Sequence, residues 1–210
     1  MGLDTVSCLQ AMVSRPLVAA PIAGYLLGDP VAGMSVGVVL ELVSLNQLPI
    51  GANRAWDTAP ASIAAAAVAA HSSGGAVALV AAAGFGVLVG WIGSWTVHLM
   101  RHLTARLVAA GESQRPMSAS SLSARHLLAM AVDLARAAVL TLAALLLGGL
   151  LFSGFEVSGA VAGIAATLLV LICAGLALGS DVRMMARGRT VVIAFTAGLL
   201  ASAMVSLWLV

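Results

Sequence analysis

The chain has 210 residues, of which 61% are hydrophobic and 9% charged, and its mean hydropathy is +1.09. Soluble domains carry about 25% charged residues, so this composition excludes an ordinary soluble protein and indicates an integral membrane protein. The formal net charge of +2 gives no electrostatic case for nucleic-acid binding. The sequence predicts one all-α domain, residues 1–210, a polytopic membrane protein with about five to seven transmembrane or re-entrant helical segments.

Two short apolar segments, residues 17–28 and 31–45, flank Asp29-Pro30 near the start of the chain. Each is shorter than the roughly 20 residues that a helix needs to cross a bilayer. Glycines recur along both segments, at positions 24, 28, 33 and 37, a pattern that lets helices approach closely. Transporters often build substrate sites from short broken helices with polar residues at the breaks, so we expect residues 15–65 to form the substrate region.

The later segments are longer and allow an orientation to be predicted. We expect an Ala-rich piece at 59–70, then spans at 76–100, 137–154, 157–179 and 190–210. Residues 101–125 contain four Arg and one Glu, which predicts a cytoplasmic Arg-rich loop by the positive-inside rule. Residues 181–189 are predicted to lie on the same side, and the turn at Glu156 on the opposite side.

Several short motifs in the first quarter of the chain occur in a specific order. In sequence they are Arg15-Pro16-Leu17, Gly24, Leu27-Gly28-Asp29, Gly33, Gly37, Leu40-Glu41-Leu42, Gly51-Ala52 and Asp57. As a set, they resemble the IIC subunit of the mannose/fructose/sorbose family of phosphotransferase-system (PTS) sugar permeases. The structural residues of this motif are Arg15, Pro16, Gly28, Asp29, Gly33, Gly37 and Gly51.

The resemblance implies a subunit that translocates a hexose across the bacterial inner membrane by alternating access. It implies a IID membrane partner, cytoplasmic IIA and IIB subunits that phosphorylate the incoming sugar, and an oligomeric assembly. The chain itself would then be a transport subunit, not an enzyme. Only one predicted span follows the loop at 181–189, whereas typical members continue further. This leaves open the alternative of a reduced, non-transporting IIC-like scaffold or regulatory protein.

Carboxylates are the first candidates for sugar binding, because sugar hydroxyls both donate and accept hydrogen bonds. Glu41 lies within an apolar segment, where a carboxylate is costly unless it faces a polar cavity. We expect it to line the substrate site, with a structural pair to Arg15 or Arg54, or an interfacial position, as alternatives. Asp57 is expected to contact the sugar, to cap the helix that follows, or to do both.

The remaining candidate substrate-binding residues lie between the apolar pieces: Asn46, Gln47, Asn53, Arg54 and Trp56. The amides are expected to bind sugar hydroxyls, unless loop backbone groups satisfy them. The indole is expected to stack on the sugar or to lie at the membrane interface. The arginine is expected to steer the phosphodonor, to pair with Asp57 or to face the surface.

Signatures of an enzyme or a metal site are weak. His71 has no G-x-S-x-G elbow around it, and the chain has neither H-E-x-x-H nor C-x-x-C. Asp133 and Arg136 are three positions apart on one predicted helix, so we expect them to pair with each other or with a neighbouring helix. The sequence therefore predicts no catalytic residue, no metal and no cofactor.

Overall fold

The computed structural model describes residues 11–45, 56–72, 75–112, 119–154, 163–164 and 167–168. The five helices of these ranges are α1 (Pro16–Leu26), α2 (Pro30–Ser44), α3 (Thr58–His71), α4 (Gly75–Glu112) and α5 (Ala119–Phe152). In the described part of the chain every regular element is helical, which confirms the all-α prediction. The expected spans at 157–179 and 190–210 fall outside the described residues, apart from residues 163–164 and 167–168.

Helices α1 and α2 form a tight antiparallel pair, and the residues of the turn itself explain why the chain reverses there. Gly28 adopts a φ of +91°, in the left-handed region that glycine enters without a steric penalty. Asp29 then caps α2, because its Oδ1 accepts a hydrogen bond from the backbone N–H of Ala32 at 2.9 Å. Pro30 follows at the first helical position, where its missing N–H costs nothing.

Glycines set the distance between these two helices. A Cβ atom at Gly33 would lie 2.5 Å from the carbonyl oxygen of Ala20, and one at Gly37 would lie 2.8 Å from that of Pro16. Backbone therefore packs on backbone along the pair, which agrees with the close approach predicted from the small-residue pattern.

Helix α3 lies at the centre of the described structure, where it contacts α1, α2, α4 and α5. Its buried residues are mostly alanines, and four neighbours fit around it because alanine side chains are small. Leu40 of α2 and Phe85 of α4 join these alanines in the apolar core. The core thus packs the short helices against the long ones.

Helices α4 and α5 are long and apolar enough to cross a membrane. Their candidate spans are Val77–Arg106, with a mean hydropathy of 2.0, and Ser120–Phe152, with a mean hydropathy of 2.1. In the most apolar window of each, half of the α4 residues but only 17% of the α5 residues are buried inside the structure. Helix α5 therefore lies at the outside of the described structure, where its exposed leucines suit contact with lipid.

The region expected to be an Arg-rich loop is largely helical. Residues 101–112 belong to α4 and residues 119–125 to α5, so the structure differs there from the loop predicted at 101–125. The physical reason is that Arg, Leu and Ala are strong helix formers. The polar residues that begin at Arg101 therefore do not end α4, which continues to Glu112.

Candidate functional site

Glu41 forms an ion pair within the α1–α2 pair of helices. It lies in the last turn of α2, and its Oε1 accepts a hydrogen bond from Nη1 of Arg15 at 2.9 Å. Its Oε2 accepts from the backbone N–H of Leu17, in the first turn of α1, at 3.3 Å. A carboxylate is stabilised there by both the guanidinium and the positive end of the helix dipole. The Glu41 side chain remains 17% exposed, so the carboxylate is only partly covered.

Asp57 forms the second charged centre, at the start of α3. It occupies the N-cap position but makes no side-chain capping hydrogen bond. Instead its Oδ2 accepts from Nη1 of Arg136, on α5, at 2.6 Å. The side chain of Asp57 is completely buried and that of Arg136 is 11% exposed, so this ion pair is largely removed from solvent. Breaking such a pair by removing one partner is costly, because an uncompensated buried charge remains.

Arg136 connects three helices. Besides Asp57, its Nη1 donates to Oγ1 of Thr96 on α4 at 2.9 Å, and its Nε donates to Oδ1 of Asp133 on α5 at 3.0 Å. Nη2 lies 2.9 Å from the same Asp133 oxygen but has no hydrogen-bond partner, and Oδ1 of Asp57 has none either. We call Asp57, Thr96, Asp133 and Arg136 the Arg136 cluster.

Glycines of α4 leave room for Trp56 and Asp57, the two residues that precede α3. The backbone N–H of Asp57 donates to the carbonyl of Gly90 at 3.3 Å. A Cβ atom at Gly93 would lie 2.5 Å from Cβ of Asp57, and one at Gly90 would lie 3.4 Å from the ring of Trp56. The half-buried Trp56 packs against the apolar core, so its indole contributes to packing whatever else it does.

Apart from Trp56, which packs against the apolar core, the predicted site residues fall into three groups. Glu41 and Asp57 belong to two separate ion-pair networks, and Glu41 takes the structural partner, Arg15, that sequence reasoning kept as an alternative. The motif residues Pro16, Gly28, Asp29, Gly33 and Gly37 form the helix start, turn, cap and close contacts of α1 and α2. Outside the described residues lie Asn46, Gln47, Gly51, Asn53 and Arg54. Substrate binding by any of these residues stays a prediction.

Sequence reasoning expected Arg136 to pair with Asp133 or with a neighbouring helix, and it does both, but that reasoning did not identify Asp57 as the partner. The pairing with Asp133 is the expected one at a spacing of three. The link to Asp57, 79 positions away, has no local signal. One general feature of the sequence does point to Arg136: it is an ionisable residue in an apolar helix, and such a residue is by default a candidate for a functional site.

Comparison with known proteins decides the family. The sequence model of the family described as "PTS system sorbose-specific iic component" matches residues 1–209. The chain belongs to this family. The resemblance found in residues 15–65 is therefore confirmed, and the family consists of membrane proteins of the phosphotransferase system for sugar transport.

Two curated relatives cover shorter stretches of this IIC-family chain. The sorbose-specific EIIC component of Lacticaseibacillus casei is 48% identical over 48 residues, 23% of this chain and 17% of the relative. The sorbose-specific EIIC component of Klebsiella pneumoniae is 40% identical over 92 residues, 37% of this chain and 35% of the relative. The matched regions thus span about a third or less of either relative's length. No solved structure matches the chain.

Proposed function

We propose that this protein is the sugar-translocating IIC subunit of a mannose-type PTS in the bacterial inner membrane. It carries a hexose by alternating access, and a separate IIB subunit phosphorylates the sugar. The observation that carries the proposal is the family match over residues 1–209, and two helices able to span a membrane support it. The partners are a IID membrane subunit and IIA/IIB phosphocarriers, in an oligomeric, multi-pass assembly to which this chain contributes transport and no catalysis.

The proposed sugar site is the connection between α2 and α3 together with its two ends. Glu41 lies in the last turn of α2, and Asp57 immediately precedes α3. The proposed site therefore comprises these two carboxylates and the intervening Asn46, Gln47, Asn53, Arg54 and Trp56. Carboxylates and amides at a helix break are the groups that suit sugar hydroxyls.

A non-transporting scaffold is the second candidate. The observation that favours it is that both described carboxylates of the proposed site already have arginine partners within the protein. A structural role would account for both ion pairs without a sugar.

Sugar uptake separates the two candidates. Vesicles would contain this chain, its IID partner and phosphorylated IIB, and accumulation of phosphosugar would be measured for a series of hexoses. Transport predicts accumulation by the unmodified chain and at least a tenfold loss in Glu41→Gln, which keeps the shape but removes the charge. Glu156→Gln is the matched control and should leave uptake unchanged.

A further variant separates sugar binding from structure. Arg15→Gln breaks the same ion pair but keeps the carboxylate of Glu41. If Glu41→Gln and Arg15→Gln lose uptake equally, the pair is structural, and normal uptake in Glu41→Gln would remove Glu41 from the site. An assembled complex that takes up no hexose would establish the scaffold.

A further inference from the structure

Helix α5 holds a largely buried arginine to which the proposed function gives no role. Arg136 reaches Asp57 at the start of α3, Thr96 on α4 and Asp133 on its own helix. Few side chains can bridge three helices in this way, because the bridging group must carry several hydrogen-bond donors in a fixed plane. The guanidinium group of arginine does so.

The guanidinium is held in place independently of Asp57. Oδ1 of Asp133, one turn earlier on α5, accepts from Nε at 3.0 Å. Oγ1 of Thr96 accepts from Nη1 at 2.9 Å, while its own hydroxyl donates to the carbonyl of Gly93 at 2.7 Å. These two contacts fix the orientation and position of the guanidinium. Asp57 therefore binds a group that Asp133 and Thr96 already hold in place.

Asp57 uses only one of its two carboxylate oxygens in this contact. Oδ2 accepts from Arg136, whereas Oδ1 is buried and has no hydrogen-bond partner. The side chain is fully buried and does not cap α3, although Asp at this position ordinarily does so. An unsatisfied buried acceptor costs free energy and therefore calls for an explanation, such as a ligand that donates to it in another state.

We infer that Arg136 is a positioning residue for substrate recognition: it binds Oδ2 of Asp57 and keeps Oδ1 available as the acceptor of a sugar hydroxyl. The inference rests on the proposed function, since it takes a polyhydroxylated substrate as the donor. Asp57 is fully covered in the described conformation, so a sugar reaches Oδ1 only after the covering groups move. That requirement agrees with alternating access, in which the site is closed in some conformations.

The test uses variants that loosen Arg136 without removing it. Thr96→Val and Asp133→Asn each delete or weaken one contact of the guanidinium, and sugar uptake by the vesicles described above gives KM and Vmax. We expect KM to rise roughly tenfold in Thr96→Val, the effect of losing one hydrogen bond to a charged group, and to rise by less in Asp133→Asn, whose amide oxygen can still accept from Nε but carries no charge; the amount of inserted protein should be unchanged in both. Thr141→Val is the matched control, because the hydroxyl of Thr141 donates to the carbonyl of Ala137 within α5.

An exchange of the two charged partners distinguishes positioning from simple helix joining. The double variant Asp57→Arg with Arg136→Asp retains an ion pair between α3 and α5 but removes the carboxylate acceptor. We expect it to insert and to bind the IID partner better than Arg136→Asp alone, yet to transport no sugar. Transport by the exchanged pair would overturn the inference.

The remaining outcomes are also decisive. If the exchanged variant does not insert, Thr96→Val and Asp133→Asn decide, and an unchanged KM in both overturns the inference. A loss of protein amount and Vmax at constant KM would make Arg136 structural and also overturn it. If the unmodified chain takes up no sugar, it is the proposed function that fails, whereas normal uptake with unchanged KM in the variants refutes the positioning role alone.

Discussion

Replacement of Gly33 by alanine tests the close backbone contact between α1 and α2. An added Cβ would lie 2.5 Å from the carbonyl oxygen of Ala20 and 2.9 Å from Cα of Gly24. Both are backbone atoms, which cannot rotate away as a flexible side chain can. Ordinary van der Waals contact begins at about 3.4 Å, so α1 and α2 must separate by roughly 1 Å to accept the methyl group.

The expected change in stability follows from two opposing terms. Alanine in place of glycine in a helix interior stabilises by about 1 kcal/mol. Overpacking of a close contact typically costs about 1–3 kcal/mol, and a clash with rigid backbone belongs at the upper end of that range. Gly33→Ala should therefore lower the free energy of unfolding by about 1–2 kcal/mol, a shift of roughly 5- to 30-fold in the unfolding equilibrium.

The assay is equilibrium unfolding in detergent micelles, with Gly84→Ala as the control. Gly84 is also helical, but a Cβ atom there would meet nothing within 4 Å. The control should be as stable as the unmodified chain or slightly more stable. If Gly33→Ala is as stable as Gly84→Ala, the two helices do not pack backbone to backbone, and the reasoning is refuted.

Two further predictions follow from the cap of α2 and from the arginine distribution. Asp29→Ala should lower the free energy of unfolding by about 1 kcal/mol, whereas Asp29→Asn, which still accepts from the N–H of Ala32, should change it little; equal loss in both would contradict the cap. In a variant without the native cysteines, Arg106→Cys should react with a membrane-impermeant maleimide from the cytoplasmic side and Glu156→Cys from the opposite side. The same accessible side for both would refute the predicted orientation.

Local sequence signals were sufficient for the short helices. Apolar segments were predicted at 17–28, 31–45 and 59–70, and the helices are Pro16–Leu26, Pro30–Ser44 and Thr58–His71. The reason is that glycine, proline and aspartate act on their immediate neighbours. Gly28 supplies a turn, and Asp29 and Pro30 start a helix, whatever the rest of the fold is.

Long-range contacts and the ends of the long helices were not accessible in this way. Asp57 and Arg136 are 79 positions apart in the sequence. They come together because Gly90 and Gly93 leave room for the start of α3 beside α4. This contact depends on the packing of α3 against α4, and no hydrophobic periodicity in the sequence indicates it. The charged residues at 101–112 favour a loop in the sequence but lie on α4, because charge reports surroundings and not backbone conformation.

The two ion-pair networks divide the proposed sugar site between different parts of the fold. Glu41 is tied to Arg15 within the α1–α2 pair, whereas Asp57 is tied to α4 and α5 through Thr96 and Arg136. Helices α1 and α2 meet α3 through apolar side chains of the core, and sliding of packed helices is one of the known forms of conformational change. Under the proposed alternating-access function, a relative movement of the two parts would change the distance between the two carboxylates while both ion pairs stay intact. A sugar held between the carboxylates would then be bound in one arrangement and released in the other.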